Sequence, residues 1–497
     1  MLSFLIWFPV FAAIIISIVP GKRGGYFYCF FALFVSLITF IYSVAVAAKF
    51  DASLPAIQLR ESFVWLEWLG LSYDLGIDGL SLPLVLLNCF LTSIAIYISK
   101  KETERPRFYY ALILLLMGSV NGAFLAQNLL LFFLFYEIEI VPLYFLIAVW
   151  GGARRGYAAT KFLLYTALSG ILILISFLGL VWFSGESTFA FEGLKSHLLP
   201  VKTQILLLIP LLIGLFIKIP IFPFHTWLPD AHVEASTPIS VLLAGVLLKL
   251  GTYALLRFGV GLFLQGWVAI SPYLAYIAAN SALYGAMCAI SQKDMKKVVA
   301  YSSIAHMAYV LLAASAATRL SLQASILQMV SHGLISALLF TLVGLVYETT
   351  GSRDVDYLRG LLNPQKGLPI TGSLMILGVM ASAGIPGMIG FISEFLVFRG
   401  SFPIFPIPTI LCMVGTGLTA VYFLLMINKV FFGRLTPELA NLPPVSWADE
   451  LPAIILASLI VLFGLQPHFV TGWSDNEAVI LFYGSQETVS TVIPDRG

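Results

Sequence analysis

Apolar runs of about twenty residues recur along the whole chain, and short polar or Gly/Pro-rich connections separate them. An α-helix needs about 20 apolar residues to cross the hydrocarbon core of a bilayer. The pattern therefore predicts an all-α polytopic membrane protein with about fourteen transmembrane helices. A later apolar stretch, "AVILFY", is too short to span. The predicted spans lie near residues 3–20, 26–49, 79–98, 108–126, 128–150, 161–184, 203–227, 237–257, 266–290, 298–317, 325–348, 369–397, 405–432 and 452–470.

The composition agrees with this pattern, because 60% of the residues are hydrophobic and only 10% are charged. Soluble domains carry about 25% charged residues, so a sizeable soluble domain is excluded. No CxxC pair, GxGxxG or Walker motif is present. We therefore expect no metal, cofactor or nucleotide site in this chain, and nothing indicates a nucleic-acid partner. Four single cysteines lie in apolar runs, at Cys29, Cys89, Cys288 and Cys412.

The basic residues predict how the chain is oriented in the membrane. Seventeen Lys and Arg residues fall in the odd-numbered connections between spans, and eight fall on the opposite side. Basic residues concentrate on the cytoplasmic side of membrane proteins. Fourteen spans with both termini outside satisfy this rule. The two basic residues left over, Lys218 and Lys249, lie within spans.

Five charged residues fall inside predicted spans, where charge is costly. Lys218 and Lys249 lie in the seventh and eighth spans, Glu137 and Glu139 in the fifth, and Glu394 in the twelfth. Each group alone can snorkel to the interface or form a structural ion pair. Together they resemble the rows of ionisable groups that carry protons through pumps. Because Glu137 and Glu139 are two residues apart, at most one should face Lys218.

Two histidines extend this set. His306 lies in the tenth span and His332 in the eleventh. Either one alone is more often a hydrogen-bonded core residue than a functional one. Burial favours a neutral lysine, and a nearby carboxylate favours the charged form. A lysine with a movable acidic partner can therefore release and regain a proton.

Helix-breaking residues interrupt two spans. Pro220 and Pro223 predict that the seventh span breaks just after Lys218, because proline removes backbone donors and clashes with the preceding turn. The twelfth span should be interrupted before Glu394. The residues responsible there are Gly384, Pro386, Gly387 and Gly390. Paired discontinuous helices mark the working site of many transporters.

The two interrupted spans are five spans apart, which predicts two inverted five-helix repeats formed by spans 4–8 and 9–13. The prediction divides the chain into four regions. They are residues 1–107 with the first three helices, 108–258 with the first repeat, 259–432 with the second repeat, and 433–497 with helix 14 and a tail.

Five stretches together resemble a known family, the antiporter-like, proton-pumping subunits of respiratory complex I. The family also includes subunits of multisubunit sodium/proton antiporters. The chain resembles the chain 4 type, in its cyanobacterial and plastid versions, and some cyanobacterial paralogues of this type serve CO2 uptake. The stretches are "YEIEIVPLYFLIAVWGG", "KIPIFPFHTWLPDAHVEASTP", "LLAGVLLKLGTYALLRFG", "QKDMKKVVAYSSIAHMAYV" and "QMVSHGLISALLF".

The resemblance implies a location and partners. It implies a thylakoid membrane of a cyanobacterium, with a bacterial plasma membrane as the alternative. The implied partners are the lipid bilayer and other membrane subunits of an NAD(P)H dehydrogenase-like complex, including antiporter-like paralogues. Iron–sulfur clusters and the quinone, plastoquinone, would be held by those other subunits, with electrons coming from NAD(P)H or ferredoxin.

The resemblance also implies roles for individual residues. Glu137 and Lys218 would form the ion pair of the uptake half-channel, and Lys249 would be the central relay. Glu394 would be the exit-side residue. The two histidines, His306 and His332, would carry the hydrated axis between Lys249 and Glu394. Glu139 departs from the respiratory pattern, and its role stays open.

Four functions are weighed on these residues. The leading hypothesis is a proton-translocating subunit of a redox complex. A sodium/proton antiporter subunit is the first alternative, although lysine at the working sites disfavours direct coordination of sodium. A haem-binding electron carrier using His306 and His332 is the second. A scaffold whose charges only join helices is the third.

Overall fold

A computed structural model describes residues 1–18, 24–54, 57–101, 104–191, 194 and 196–474. Within them, twelve helices are long and apolar enough to cross a membrane, and two further predicted spans contain shorter apolar helices. The prediction of a polytopic helical membrane protein is therefore confirmed, with twelve candidate spans among the described residues. The stretch "AVILFY", the tail beyond residue 474, and Lys22, Arg23 and Lys195 lie outside the described residues.

The helices and strands follow one another with short connections. In chain order they are α1 (Leu2–Ile18), α2 (Gly25–Lys49), β1 (Gln58–Leu66), β2 (Leu71–Ile77), α3 (Ser81–Ile98), α4 (Pro106–Leu125), α5 (Leu129–Ile138), α6 (Ile140–Trp150), α7 (Arg155–Ser184), α8 (Val201–Lys218), α9 (Trp227–Glu234), α10 (Thr237–Leu242), α11 (Leu248–Ala254), α12 (Leu264–Ile290), α13 (Met295–Ala316), α14 (Arg319–Thr350), α15 (Pro369–Ser382), α16 (Ile389–Ser401), α17 (Pro406–Val430) and α18 (Trp447–Leu465).

Both predicted interruptions are confirmed. Helix α8 ends at Lys218, and the chain passes through turns before α9 begins at Trp227. In the twelfth span, α15 ends at Ser382 and α16 begins at Ile389. Proline and glycine therefore end these helices in the middle of apolar sequence, where backbone groups become free for other partners.

Two further irregularities were not predicted. The fifth span divides at Glu139 into α5 and α6. In the eighth span, π-helical segments Leu243–Leu247 and Leu255–Val260 flank α11 on both sides. Single π turns inside α-helices occur frequently at functional sites. Pro142 lies three residues after the division of the fifth span, whereas no proline lies within the π segments, so apolar periodicity did not reveal them.

A two-stranded antiparallel hairpin, β1–β2, lies between α2 and α3 and was also not foreseen. Nη2 of Arg60 in β1 lies 2.7 Å from Oδ2 of the buried Asp74 in β2. The backbone N–H of Gln127 donates to the carbonyl of Asp74 at 2.8 Å. The hairpin is therefore attached to the start of the fifth span. The sequence did not reveal this hairpin, because its two short strands lie in a connection between much longer apolar runs.

The eighth, tenth and eleventh spans form the middle of the molecule. Of the residues in their apolar segments, which include α11, α13 and α14, 94–100% are buried, whereas the share is 39% in the segments of α2, α7, α17 and α18. The central spans carry Lys249, His306 and His332. The inverted repeats, the four-region division and the inside–outside orientation stay predictions.

Candidate functional site

Lys218 is the last residue of α8, and its side chain is completely buried. Its position follows from the sequence, because Pro220 and Pro223 stop the helix at this depth. Nζ of Lys218 forms an ion pair with Oε1 of Glu139. It also lies 4.5 Å from the centre of the Tyr136 ring, a distance typical of a cation–π contact. A carboxylate and an aromatic face together stabilise the buried ammonium group.

Glu139 is completely buried and lies between α5 and α6. Pro142 has no N–H group, and the N–H of Leu143 is 3.4 Å from the carbonyl oxygen of Glu139. Helical hydrogen bonding is therefore weak at this position. The divided helix directs the carboxylate towards Lys218. The second oxygen of this carboxylate, Oε2, has no hydrogen-bond partner among the described residues.

The predicted ion pair between Glu137 and Lys218 is wrong in this structure, because Glu139 takes that place. Two residues apart on a helix, the two carboxylates point to different sides. Glu137 packs against Gly170 of α7, where an added Cβ would lie only 1.8 Å from Oε1. That oxygen is buried and has no hydrogen-bond partner among the described residues. Glu137 is thus a second carboxylate beside the pair, not the partner.

Lys249 lies in α11 and is completely buried. Nζ donates to the carbonyl oxygen of Ala244 at 2.6 Å and lies 2.7 Å from Nδ1 of His332. Ala244 belongs to the π segment before α11. When Lys249 is charged, Nδ1 of His332 accepts its hydrogen bond, and that ring is neutral. The irregular helix therefore holds a lysine in direct contact with a base.

His306 makes contacts that favour its cationic form. Nδ1 lies 2.7 Å from the carbonyl oxygen of Ser302. Nε2 lies 3.2 Å from the carbonyl oxygen of Ser382 and 3.3 Å from Oε1 of Glu394. These oxygens accept hydrogen bonds when Glu394 is ionised, so both ring nitrogens must donate. That pattern belongs to an imidazolium ring paired with the carboxylate of Glu394.

The rings of His306 and His332 connect the two groups, with centroids 5.7 Å apart. A cavity of about 10 Å³ touches both rings and Glu394. This volume is enough for about one water molecule. Lys249, His332, His306 and Glu394 therefore form a nearly continuous series of proton donors and acceptors.

Glu394 lies in α16, just beyond the interruption of the twelfth span. Oε2 accepts a hydrogen bond from Thr416 at 3.2 Å. Gly384 has a positive φ of +71°, and an added Cβ there would lie 3.1 Å from Oε2. Glycine therefore allows both the turn and the approach of the carboxylate.

Gly251 joins the two halves of the site. An added Cβ at this position of α11 would lie 3.2 Å from Cβ of Lys218 and 2.8 Å from a side-chain carbon of Ile219. The missing side chain lets the helix of Lys249 pack directly on the end of α8. The ion pair of Lys218 and the series that begins at Lys249 are thus neighbours.

Sequence reasoning named six site residues, and the structure places all of them in these two groups. It left the role of Glu139 open, and it did not single out His232 or Lys296. Both are buried, with exposed fractions of 0% and 3%. His232 lies in the stretch "KIPIFPFHTWLPDAHVEASTP", and Lys296 lies in "QKDMKKVVAYSSIAHMAYV". Both lie outside the predicted spans, where the neighbours in sequence do not show whether an ionisable side chain is buried.

Comparison with known proteins places the chain. Residues 126–419, more than half of it, match the family model described as "NADH:quinone oxidoreductase/Mrp antiporter, TM". The whole chain is 41% identical to the NAD(P)H-quinone oxidoreductase chain 4 1 of Synechococcus sp. (strain JA-3-3Ab), of which it covers 95%. The chain belongs to the NADH:quinone oxidoreductase/Mrp antiporter transmembrane family.

Solved structures of this family share the architecture. A chain of respiratory complex I from Thermus thermophilus is 25% identical and superposes with a TM-score of 0.87, covering 98% of this chain and 99% of that one. A chain of the Mrp complex from Dietzia sp. DQ12-45-1b is 18% identical with a TM-score of 0.86, covering 99% of both. The second likeness shows the fold alone. The family match itself includes every site residue from Glu137 to Glu394.

Proposed function

We propose that the chain is a proton-translocating membrane subunit of a complex I-like NAD(P)H or ferredoxin:plastoquinone oxidoreductase. One observation carries the proposal: buried acids and bases lie next to one another in series, from Lys249 through His332 and His306 to Glu394. The names of its relatives agree with this function. Electron carriers and quinone would belong to other subunits. The described residues contain no group of three or more His, Cys, Asp or Glu suited to a metal ion.

The uptake side would work through the pair of Lys218 and Glu139. A buried ammonium group is stable while its carboxylate partner stays in contact, and it is strongly destabilised when left alone. A movement that separates the two groups would favour release of the lysine proton towards Lys249. A return of the partner would favour reprotonation.

The exit side would pass protons along existing contacts. Transfer from Nζ of Lys249 to Nδ1 of His332 leaves a neutral lysine and a cationic ring. His306 then gives its Nε2 proton to Oε1 of Glu394 and regains one from His332 through the small cavity. Each step moves one proton: the transfers from Lys249 to His332 and from His332 to His306 move a positive charge, and the transfer from His306 to Glu394 neutralises both groups. Coupling to the redox reaction would arrive as electrostatic or conformational change from neighbouring membrane subunits.

The test is Lys218→Ala in the assembled complex, in membrane vesicles that report proton pumping by a fluorescent dye. We expect the complex to assemble and pumping to fall at least tenfold, because the exchangeable ammonium group is lost. Lys429→Ala is the matched control, because Lys429 is half-exposed and lies at the end of α17. This variant should pump normally. Unchanged pumping in Lys218→Ala would remove the basis of the proposal.

A sodium/proton antiporter subunit is the second candidate, favoured by the fold shared with the Mrp complex. Lysine at two working positions disfavours it, because sodium prefers oxygen ligands. Replacing sodium with potassium in the pumping assay separates the two functions. A pumping rate that depends on the redox substrate and is the same in sodium and in potassium would support proton translocation. We place the chain in a cyanobacterial thylakoid membrane, beside other membrane subunits of its complex.

A further inference from the structure

A polar cavity of about 350 Å³ lies between the end of α17 and the connection that joins α14 to α15. Its volume has room for on the order of ten water molecules, and a phosphoglycerol group is of similar size. This connection and the one that follows α17 are both odd-numbered, so the positive-inside rule predicts that the cavity faces inward. The cavity therefore lies where a lipid headgroup of the inner leaflet could reach it.

The charges around this cavity are mainly positive. Arg359 and Lys429 line it, and so does one carboxylate, Asp356. Nζ of Lys429 donates to Oδ1 of Asp356 at 2.8 Å, and Nζ of Lys293 lies 3.1 Å from Oδ2. Among the described residues that line the cavity or pair with its wall, three cations therefore meet one carboxylate. This excess of positive charge favours an anionic ligand.

Arg359 is exposed, and its guanidinium group has no hydrogen-bond or ion-pair partner among the described residues. Gly433 in the cavity wall has a positive φ of +91°, and an added Cβ there would lie 3.3 Å from Nε of Arg359. Glycine therefore allows both the turn after α17 and the approach of the guanidinium group. A guanidinium group can donate two parallel hydrogen bonds to the oxygens of one phosphate. Arg359 thus offers the cavity a cation that the protein itself does not neutralise.

A stripe of exposed apolar side chains leads along α17 to the cavity. Because these side chains recur at intervals of three, four or seven residues, they share one face of the helix. Asn428 and Phe432 continue the same face and line the cavity. An apolar stripe that ends at a positive cavity matches an acyl chain that ends at an anionic headgroup. The residues of the stripe are Ile407, Ile410, Val414, Val421 and Leu425.

We propose that this site binds an anionic phospholipid of the phosphatidylglycerol type. Its phosphate would lie on Arg359 and Lys429, and its acyl chains would lie along the exposed face of α17. Basic pockets at the inner ends of membrane helices are suited to such headgroups. The inference concerns the surface of the chain and does not depend on the proposed function.

The first test compares two lipids that differ only in the headgroup. The purified complex, delipidated by detergent, is placed in phosphatidylcholine nanodiscs that contain a photoreactive phosphatidylglycerol or a photoreactive phosphatidylcholine with the same acyl chains. We expect mass spectrometry to find at least fivefold more label on α17 from phosphatidylglycerol. Equal labelling by both lipids would show only bulk lipid on this face. Labelling by neither would show that a neighbouring subunit covers it, and either result would overturn the proposal.

The second test locates the headgroup. Arg359→Gln removes the unpaired charge from an exposed position and should reduce labelling of α17 by phosphatidylglycerol at least fivefold. Arg155→Gln is the matched control, because Arg155 is also exposed and lies in an odd-numbered connection but does not line the cavity. Its labelling should stay within twofold of the unmodified complex. Unchanged labelling in Arg359→Gln, or an equal loss in both variants, would overturn the assignment of this site.

Discussion

Lys218 has two carboxylates on the neighbouring fifth span, and the course of the backbone decides which one pairs with it. A continuous helix would place Glu137 and Glu139 on different sides without showing which side meets Lys218. The division at Glu139 gives that residue the contact. Glu137 then lies against Gly170, with one buried oxygen unpartnered. Two acidic residues in similar sequence surroundings thus have different environments.

Glutamine substitutions at these two positions should have unequal effects. Glu139→Gln leaves the Lys218 ammonium without its counter-ion, and breaking a buried ion pair typically costs about 3–5 kcal/mol. We expect the lysine to lose its proton more readily and pumping to fall at least tenfold. The measurement is dye-reported pumping in vesicles, with infrared titration of the lysine.

Glu137→Gln is the matched control for that substitution, since it changes the same group two residues away. It removes a nearby carboxylate but not the contact, so we expect a several-fold smaller loss of pumping. The assignment would be wrong if Glu137→Gln abolished pumping while Glu139→Gln left it intact.

At the scale of single elements, helix irregularities position the chemistry. The broken α8 ends at Lys218, the divided fifth span presents Glu139, and π segments flank the helix of Lys249. The interruption before α16 brings Gly384 next to Glu394. Proline and glycine made the two interruptions predictable, Pro142 follows the division of the fifth span by three residues, and no proline lies within the π segments.

Asp78 shows how one element is fixed to the next. Oδ1 accepts from the N–H groups of Leu80 and Ser81 at 3.1 and 2.9 Å, which fixes the start of α3. Oδ2 forms an ion pair with Arg257 in the second π segment of the eighth span. The carboxylate therefore joins the start of the third span to the helix that contains Lys249.

Asp78→Ala should destabilise the protein, because it removes helix-start hydrogen bonds and leaves Arg257 without this partner. Loss of the start contacts costs about 1 kcal/mol, and loss of a largely buried ion pair about 3–5 kcal/mol. Thermal dissociation of the purified complex should occur several degrees lower. Asp51→Asn, at an exposed residue in the connection after α2, should leave the midpoint unchanged. An unaltered midpoint in Asp78→Ala would contradict this role.

At the scale of the whole molecule, buried central helices contain Lys249, His306 and His332, and exposed charges join the connections around them. Asp356 accepts one hydrogen bond from Nζ of Lys429, at the end of α17, and pairs with Lys293 before α13. The hydrogen bond from Lys429 is the main cause of its lowered pKa, and Lys293 adds to it. Three connections that are distant in sequence thus meet at one carboxylate.

This cluster predicts a particular pH dependence. Because the pKa of Asp356 is lower in the folded state, the ionised carboxylate stabilises the folded protein. This stabilisation is fully present above the unfolded pKa and disappears as the pH falls through the folded pKa. Asp356→Asn should therefore lower the thermal midpoint slightly and equally from pH 8 to pH 5, and added salt should reduce the difference. A difference that changed between pH 8 and pH 5 would point to another group.

The sequence by itself determined the membrane class and two of the interruptions, and it drew attention to six buried or partly buried ionisable residues as candidates for the site. It could do so because apolar length, proline, glycine and intramembrane charge act locally, whatever the chain packs against. Only the tertiary structure decided that Glu139 and not Glu137 meets Lys218, that Lys249 contacts His332, and that His232 and Lys296 are buried. Those facts depend on which helix faces are brought together, and residues far apart in sequence supply both sides of every contact.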